Sequence, residues 1–190
     1  MEKLQEKYKK QVVPAMMKKF GYKNVMAVPS IKKVVLNSSF GKAIAGKAAG
    51  ERDKTSKMIS QDLSLIAGQA TTLVKSKKSI AGFKLREGLE IASVVTLRKQ
   101  RMWDFLERFI YLSLPRSRDF KGLNPNSIDR NGNFSIGFKE HISFPEIFTE
   151  KEKTIFGLEI TVVTNAKTKE EGLELYKLMG FPMQETKTTK

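Results

Sequence analysis

The feature that most constrains the fold is the stretch 75–101, in which two clusters of basic residues flank a nearly uncharged run. Side chains in that run alternate with a period of two, which predicts a strand over 90–99. One set of alternating side chains is mostly apolar, and the other ends in Thr96 and Arg98. A strand with one apolar and one polar face is typical of an antiparallel sheet that is covered on one side only.

The charge of the chain indicates a polyanionic partner. Its 35 Lys and Arg exceed its 20 Asp and Glu, which gives a formal net charge of +15. RNA, DNA and anionic membranes attract such a surface. The longest uncharged run, 63–74, is too short to cross a bilayer, and the N-terminus lacks the apolar core of a signal peptide. Ordinary solvated surface lysines are the alternative interpretation of the basic clusters.

Residue types also limit the chemistry that is expected. The chain has no cysteine and a single histidine, His141, which argues against disulfides, thiolate sites and histidine-based metal sites. We therefore expect no catalytic residues, no metal and no cofactor.

Strands and helices do not alternate regularly along the chain as they do over a parallel sheet. Pro14 should kink or divide the first helix, and Pro115 should end the third. The predicted helices are 2–20, 51–67, 100–112 and 169–179, and the predicted strands are 32–40, 71–75, 90–99, 133–139 and 158–164.

Polar side chains follow the face of the sheet that is expected to be open. Lys33 and Asn37 share one face of the strand 32–40, and Thr96 and Arg98 share one face of the strand 90–99. Gln69 follows Gly68 in the turn that leaves the second helix, and its amide can bond a ribose or a base edge. The pattern predicts an RNA-binding platform, although an ordinary half-solvated antiparallel sheet alternates in the same way.

A phosphate-loop pattern, G-x-x-x-x-G-K, spans Gly41 to Lys47 and favours a nucleotide-binding enzyme as the alternative function. Position 48 is alanine, so the hydroxyl that would hold Mg²⁺ is missing, and no strand ends in a metal-binding aspartate. A flexible loop is therefore the preferred interpretation. The region 140–174 has a different charge pattern, with eight acidic and four basic residues. It predicts a second, basic partner, or else plain surface variation.

Several long motifs resemble one family. They are GQATTLVKSKKSIAGFKLREG (68–88), VTLRKQRMWDFLERFI (95–110), LPRSRDFKGL (114–123), NGNFSIGFKEHISFPEI (131–147) and GLEITVVTNAKTKEEGLELYKLMGFP (157–182). In this order they are similar to the bacterial-type large-subunit ribosomal protein L-five family, the 5S-rRNA-binding protein of the central protuberance. The likeness extends from the first helix to Pro182. We expect a single ribosomal-protein domain over 1–182 and a polar tail over 183–190.

The resemblance implies an α+β fold, in which an antiparallel sheet has helices packed on one face, an open face that binds RNA, and a long basic loop. It also implies a structural protein of the cytoplasmic ribosome rather than an enzyme. Its expected partners are 5S rRNA, 23S rRNA, the P-site tRNA and a small-subunit head protein. By motif, the 5S rRNA contacts of the family fall on Asn37, Gln69 and Thr96, to which the alternation adds Lys33 and Arg98. The tRNA-contacting loop falls on Lys77, Lys78, Ser79, Ile80, Ala81, Gly82, Phe83 and Lys84. The family usually has Lys-Pro after Gly-Gln, where this chain has Ala70-Thr71. A regulatory RNA-binding protein outside the ribosome is a further alternative.

Overall fold

The computed structural model describes residues 3–118, 120–147 and 155–184. Five strands form one antiparallel sheet in the order β2-β3-β1-β5-β4. The strands are β1 (Ile31–Ser39), β2 (Thr72–Lys75), β3 (Glu90–Leu97), β4 (Phe134–Phe138) and β5 (Leu158–Thr164). The helices are α1 (Leu4–Lys7), α2 (Val13–Phe20), α3 (Gly41–Ile44), α4 (Ala49–Ala67), α5 (Lys99–Arg108), α6 (Leu114–Arg116) and α7 (Lys169–Met179). The predicted α+β class and antiparallel sheet are confirmed.

Two prolines lie inside helical segments, each separated by one residue from a preceding turn of π-helix. The π-helical turns are Tyr8–Val12, which precedes Pro14, and Phe109–Ser113, which precedes Pro115. A proline in a regular α-helix clashes with the carbonyl four residues earlier, and the π-helical turn changes that spacing. The prediction that Pro115 ends the third helix is therefore wrong, because the helical path continues to Arg116.

The chain forms two compact units. The first to be described comprises residues 35–97 and 137–160. In this unit Leu36 and Ser38 on β1, and Ser93 and Val95 on β3, are buried, so one face of each strand is covered. Helix α4 packs on β3 and contributes the buried side chains Ile59, Leu63 and Ile66. The predicted alternation of these strands is thus confirmed.

The other unit comprises residues 1–34, 98–136 and 161–190. The buried Tyr176 of α7 lies against Phe134 and Phe181, with ring centroids 5.6 and 5.1 Å apart. Its hydroxyl donates to the carbonyl oxygens of Gly132 at 3.0 Å and Val162 at 3.2 Å. Burial raises the pKa of Tyr176, so the hydroxyl stays a donor. Leu123 and Met183 form a β-bridge.

Helix α7 begins with a set of side-chain caps. The Thr168 hydroxyl accepts from the backbone N–H of Glu171 at 3.3 Å, and the Glu171 carboxylate accepts from the N–H of Lys167 at 2.8 Å. The Tyr22 hydroxyl also donates to Glu171. Burial acts to raise the pKa of Glu171, but the hydrogen bonds from Tyr22 and the backbone outweigh it and lower the pKa. The ionised carboxylate is therefore the form that stabilises the helix start.

Replacing Glu171 by glutamine is expected to reduce stability in a pH-dependent way. A folded-state pKa below the unfolded value of 4.5 means that the contribution of the carboxylate is present above that value and is lost as the pH falls through the folded pKa. Denaturant unfolding of wild type and Glu171→Gln from pH 7 to pH 3 measures it. The stability difference should be constant at neutral pH and shrink below about pH 4.5.

The control is Glu170→Gln, which removes a carboxylate from the same first turn but none of these hydrogen bonds. If the two variants show the same pH dependence, the capping role of Glu171 is refuted.

Candidate nucleic-acid interface

The basic loop is an extension of the β2–β3 hairpin. The strand register pairs Thr72 with Val94 and Lys75 with Glu90, with an irregularity between Val74 and Lys75. Beyond the strands, the N–H of Ser76 donates to Leu89 O at 2.7 Å and the N–H of Gly88 donates to Ser76 O at 3.0 Å. A bridge between Ile80 and Leu85 then closes the tip. The backbone of this hairpin is therefore hydrogen-bonded at its base and near its tip.

Apolar side chains at the tip of the hairpin face solvent. Ile80 is 45% exposed and Phe83 is 68% exposed, in a short 3-10 turn formed by Ala81–Phe83. Lys84 follows in the left-handed region with a φ of 51°. All eight predicted loop residues from Lys77 to Lys84 are exposed. An exposed phenylalanine in a loop with three lysines can stack on a nucleotide while the cations meet phosphates.

Three of the five predicted sheet residues lie in the unit 35–97 and 137–160. Asn37 and Thr96 are half-buried on β1 and β3, which are neighbours in the sheet. Their partners in the alternation, Leu36 and Val95, point into the core. Gln69 is also half-buried, and its amide Nε2 donates to Thr96 O at 3.5 Å. The turn after Gly68 thus brings the Gln69 side chain to the strand that carries Thr96.

The other two predicted sheet residues belong to the unit 1–34, 98–136 and 161–190. Lys33 is half-buried on β1, and Arg98 is exposed at the N-cap of α5. Each is accessible enough to contact a phosphate. Their role in RNA binding stays a prediction, as does that of the other three.

Thr71, the second residue of the Ala70-Thr71 pair, makes contacts within the protein. Its hydroxyl lies 2.7 Å from the Ser60 hydroxyl and donates to Ser60 O at 3.1 Å, both on α4. Its backbone N–H donates to the Ser64 hydroxyl at 3.2 Å, a bond that proline could not make. Thr71 therefore joins the start of β2 to α4 through hydroxyl groups.

The G-x-x-x-x-G-K segment does not form a phosphate loop. Helix α3 starts at Gly41 itself, and the N–H groups of Ala43 and Ile44 both donate to Phe40 O. The N–H of Lys47 donates to Ile44 O at 3.1 Å. A phosphate loop needs such N–H groups to be available for the phosphates. The nucleotide-binding alternative therefore has no geometric support here.

A basic cavity of about 420 Å³ lies between this segment and the hairpin. Its lining is Gly46, Lys47, Arg52, Ala81, Lys84, Leu85 and Arg86. The sequence pattern did not single out Arg52, which lies in the first turns of α4. No periodicity marks it, because the cavity is built by segments that are about 35 residues apart in the chain.

Some of the acidic side chains in 140–174 form contacts within the protein. Glu171 receives the Tyr22 hydroxyl, and Glu174 forms an ion pair with Lys19 at 2.6 Å. Glu150 and Glu152 lie outside the described residues.

Within 3–118, 120–147 and 155–184, no helix is long and apolar enough to span a membrane, and no cluster of acidic or histidine side chains could hold a metal.

Known proteins are similar to this chain over nearly its whole length. A family model described as Ribosomal protein L5 matches residues 24–86, and a model of the C-terminus of the ribosomal L5 family matches residues 90–183. The large ribosomal subunit protein uL5 of Syntrophomonas wolfei subsp. wolfei is 50% identical over 184 residues, which cover 97% of this chain and 100% of that protein. The uL5 proteins of Dictyoglomus turgidum and Geotalea daltonii are 50% and 48% identical, each over 97% of this chain and 99% of their own length.

Fold, charge and family models together define a basic α+β protein of the ribosomal class. The chain belongs to the ribosomal protein L5 family, whose members are structural constituents of the ribosome. The resemblance stated from the motifs is thereby confirmed.

Proposed function

We propose that this protein holds 5S rRNA in the large subunit of the cytoplasmic ribosome, attaches it to 23S rRNA in the central protuberance, and performs no catalysis. The observation that carries the proposal is the sheet face with Asn37, Gln69 and Thr96. Asn37 and Thr96 offer an amide and a hydroxyl, both half-exposed, on strands whose other face is core. The turn after α4 adds the half-exposed amide of Gln69, which bonds the backbone of Thr96. Amide and hydroxyl groups on a sheet surface can bond ribose and base edges, whereas cations such as Lys33 and Arg98 bond phosphates.

The hairpin fits a second RNA that binds transiently. Phosphate contacts and stacking are independent of sequence, so Lys77 to Lys84 could serve every tRNA that occupies the P site. The exposure of Ile80 and Phe83 supports this, because exposed apolar side chains at a hydrogen-bonded tip are available to stack on a nucleotide.

A third partner is a basic protein of the small-subunit head. The acidic residues in 140–174 support a bridge of this kind, because their charge opposes that of the rest of the chain. Glu159 and Glu170 are exposed, so their carboxylates are available to that partner.

The central test is removal of the polar groups of the sheet face. We expect Asn37→Ala to cost about 1–3 kcal/mol of 5S rRNA affinity, because it leaves RNA groups unpaired in the interface. Thr96→Ala should add to the loss. A gel shift against purified 5S rRNA, with tRNA as competitor, measures both. Thr55→Ala on α4 is the matched control, because its hydroxyl donates to Glu51 O, within its own helix, at 2.8 Å.

Thermal unfolding must show that the variants stay folded. An Asn37→Ala, Thr96→Ala double variant with wild-type affinity for 5S rRNA would reject the assignment of the sheet face. Migration of the protein with large subunits on a sucrose gradient separates the ribosomal role from that of a regulatory RNA-binding protein outside the ribosome.

A further inference from the structure

Four cationic side chains line the cavity between the segment 41–52 and the hairpin. Lys47 and Arg52 line it from one side, and Lys84 and Arg86 line it from the other. None of the residues that line it is acidic, and within the described ranges none of the four makes an ion pair or a hydrogen bond through its side chain. Four like charges around one cavity repel each other, so an anion inside it would relieve the repulsion.

The most buried of the four cations lacks a partner. The Nε atom of Arg52 is buried, and among the described residues no acceptor bonds it. Burying a charged donor without an acceptor costs free energy, and such groups usually have a partner that completes them. A phosphate oxygen is a suitable acceptor, because guanidinium groups bond phosphates through two parallel N–H groups.

The backbone positions the cations with two unusual residues. Lys84 adopts a left-handed φ of 51°, which is unfavourable for a residue with a side chain. Its Cδ lies 3.9 Å from the point that a Cβ at Gly46 would occupy, so its stem runs along the glycine. Gly46 itself has a φ of 82°, so the conformation that permits this approach suits glycine. The two segments thus meet where the cations line the cavity.

The lining also tells against a small organic ligand. Pockets for such ligands are mostly apolar with a few polar groups. Among the residues that the structure describes, Ala81 and Leu85 are the only apolar side chains of the lining, and both belong to the hairpin. Nothing in this lining resembles a slot for a base between two apolar walls.

We propose that this cavity binds one phosphodiester group of an RNA strand, which clamps the hairpin to the start of α4. In naming RNA as the source of the phosphate, the inference rests on the proposed function. It adds a site away from the sheet face, made by Lys47, Arg52, Lys84 and Arg86, which borders the hairpin tip and shares Lys84 with the predicted tRNA-contacting loop. It also gives the Gly46-Lys47 pair of the phosphate-loop pattern a role, through side chains rather than backbone N–H groups.

The Arg52 Nε–Hε resonance in a two-dimensional ¹H–¹⁵N spectrum of the full chain reports on the cavity directly. It is titrated at constant ionic strength with inorganic phosphate, with ATP, and with an RNA dodecamer that has 5′- and 3′-hydroxyl ends and therefore only phosphodiesters. We expect all three to move the resonance, with the dodecamer at the lowest concentration. In the Lys47→Gln, Lys84→Gln double variant, about tenfold or more ligand should be needed to move the Arg52 resonance by the same amount.

The matched control is Lys54→Gln, Lys57→Gln, which removes two exposed charges from α4 outside the cavity. It should leave the phosphate response of Arg52 within about twofold of wild type. An equal loss in both double variants means that only net charge matters, and it overturns the site. A resonance that neither phosphate nor RNA moves also overturns it. ATP binding about tenfold or more tighter than the dodecamer assigns the cavity to a nucleotide instead.

The salt dependence of dodecamer binding measures how many phosphates the four cations contact. If they share one phosphate, replacing all four by glutamine makes the negative slope of log K against log salt less steep by about 1. If the cations contact four separate phosphates, the slope becomes less steep by about 3 or more, and this result would contradict a shared site. These outcomes do not depend on 5S rRNA. A chain that fails to bind 5S rRNA therefore refutes the proposed function, and an unresponsive Arg52 refutes the cavity.

Discussion

Deleting residues 78–83 is expected to weaken retention of P-site tRNA by an order of magnitude or more while 5S rRNA binding persists. The deletion removes the exposed Ile80 and Phe83 together with the bridge that closes the tip. Base stacking on one aromatic side chain is worth about 1–3 kcal/mol, and the loss of Lys78 adds a salt-dependent term. The hydrogen bonds between Ser76 and Leu89 and between Gly88 and Ser76 remain, so the base of the hairpin should stay closed.

Filter binding of tRNA to ribosomes reconstituted with each variant measures the loss, and a gel shift measures 5S rRNA affinity. Two variants of full length separate the causes. Ile80→Ala, Phe83→Ala should lose affinity at every salt concentration, because it removes stacking and keeps charge. Lys77→Gln, Lys78→Gln should lose affinity mainly at low salt. If the deletion abolishes 5S rRNA binding while tRNA is held normally, the hairpin belongs to the rRNA interface and the tRNA assignment fails.

Replacing Gly172 with alanine is expected to destabilise the protein by about 3 kcal/mol or more. A Cβ at Gly172 would lie 2.5 Å from the Cα of Gly132 and 2.8 Å from its carbonyl oxygen. Both are backbone atoms, so neither can rotate away as the end of a side chain could. The same carbonyl accepts hydrogen bonds from Tyr176 at 3.0 Å and Thr164 at 3.1 Å, so moving it also breaks a buried network. Gly172 therefore supports the turn before β4 and the packing of α7.

Urea unfolding followed by circular dichroism measures the effect. The matched control is Gly50→Ala in α4, where a Cβ meets nothing within 4 Å. Alanine there should be neutral or stabilise by up to about 1 kcal/mol, because it favours the helix and reduces the freedom of the unfolded chain. A Gly172→Ala protein whose stability lies within about 0.5 kcal/mol of wild type would contradict the close packing of the two glycines.

Local sequence patterns were sufficient to predict the five strands, the long helices and the faces that they bury, but not the short helix α3. Period-two alternation predicted the buried side chains Val34, Leu36, Val95 and Leu97, because each strand has one covered face. The predicted bounds of β5 and α7 agree with the structure, since Asn165 and Gly180 interrupt the pattern at their ends. Local propensity was misleading at Pro115, where a π-helical turn that no sequence rule required lets the helix continue.

Which distant residues share a surface depends on long-range packing. Gly132 and Gly172 are 40 positions apart in the sequence, and nothing in the local sequence shows that their backbones touch. The amide of Gln69 reaches Thr96 because α4 ends beside β3, and Thr71 bonds Ser60 and Ser64 because β2 runs back along α4. Charge composition indicated a polyanionic partner, yet Arg52, Lys47, Lys84 and Arg86 line one cavity only because the hairpin folds against the segment 41–52. Propensity and periodicity follow from the local sequence, whereas the composition of each site depends on long-range packing.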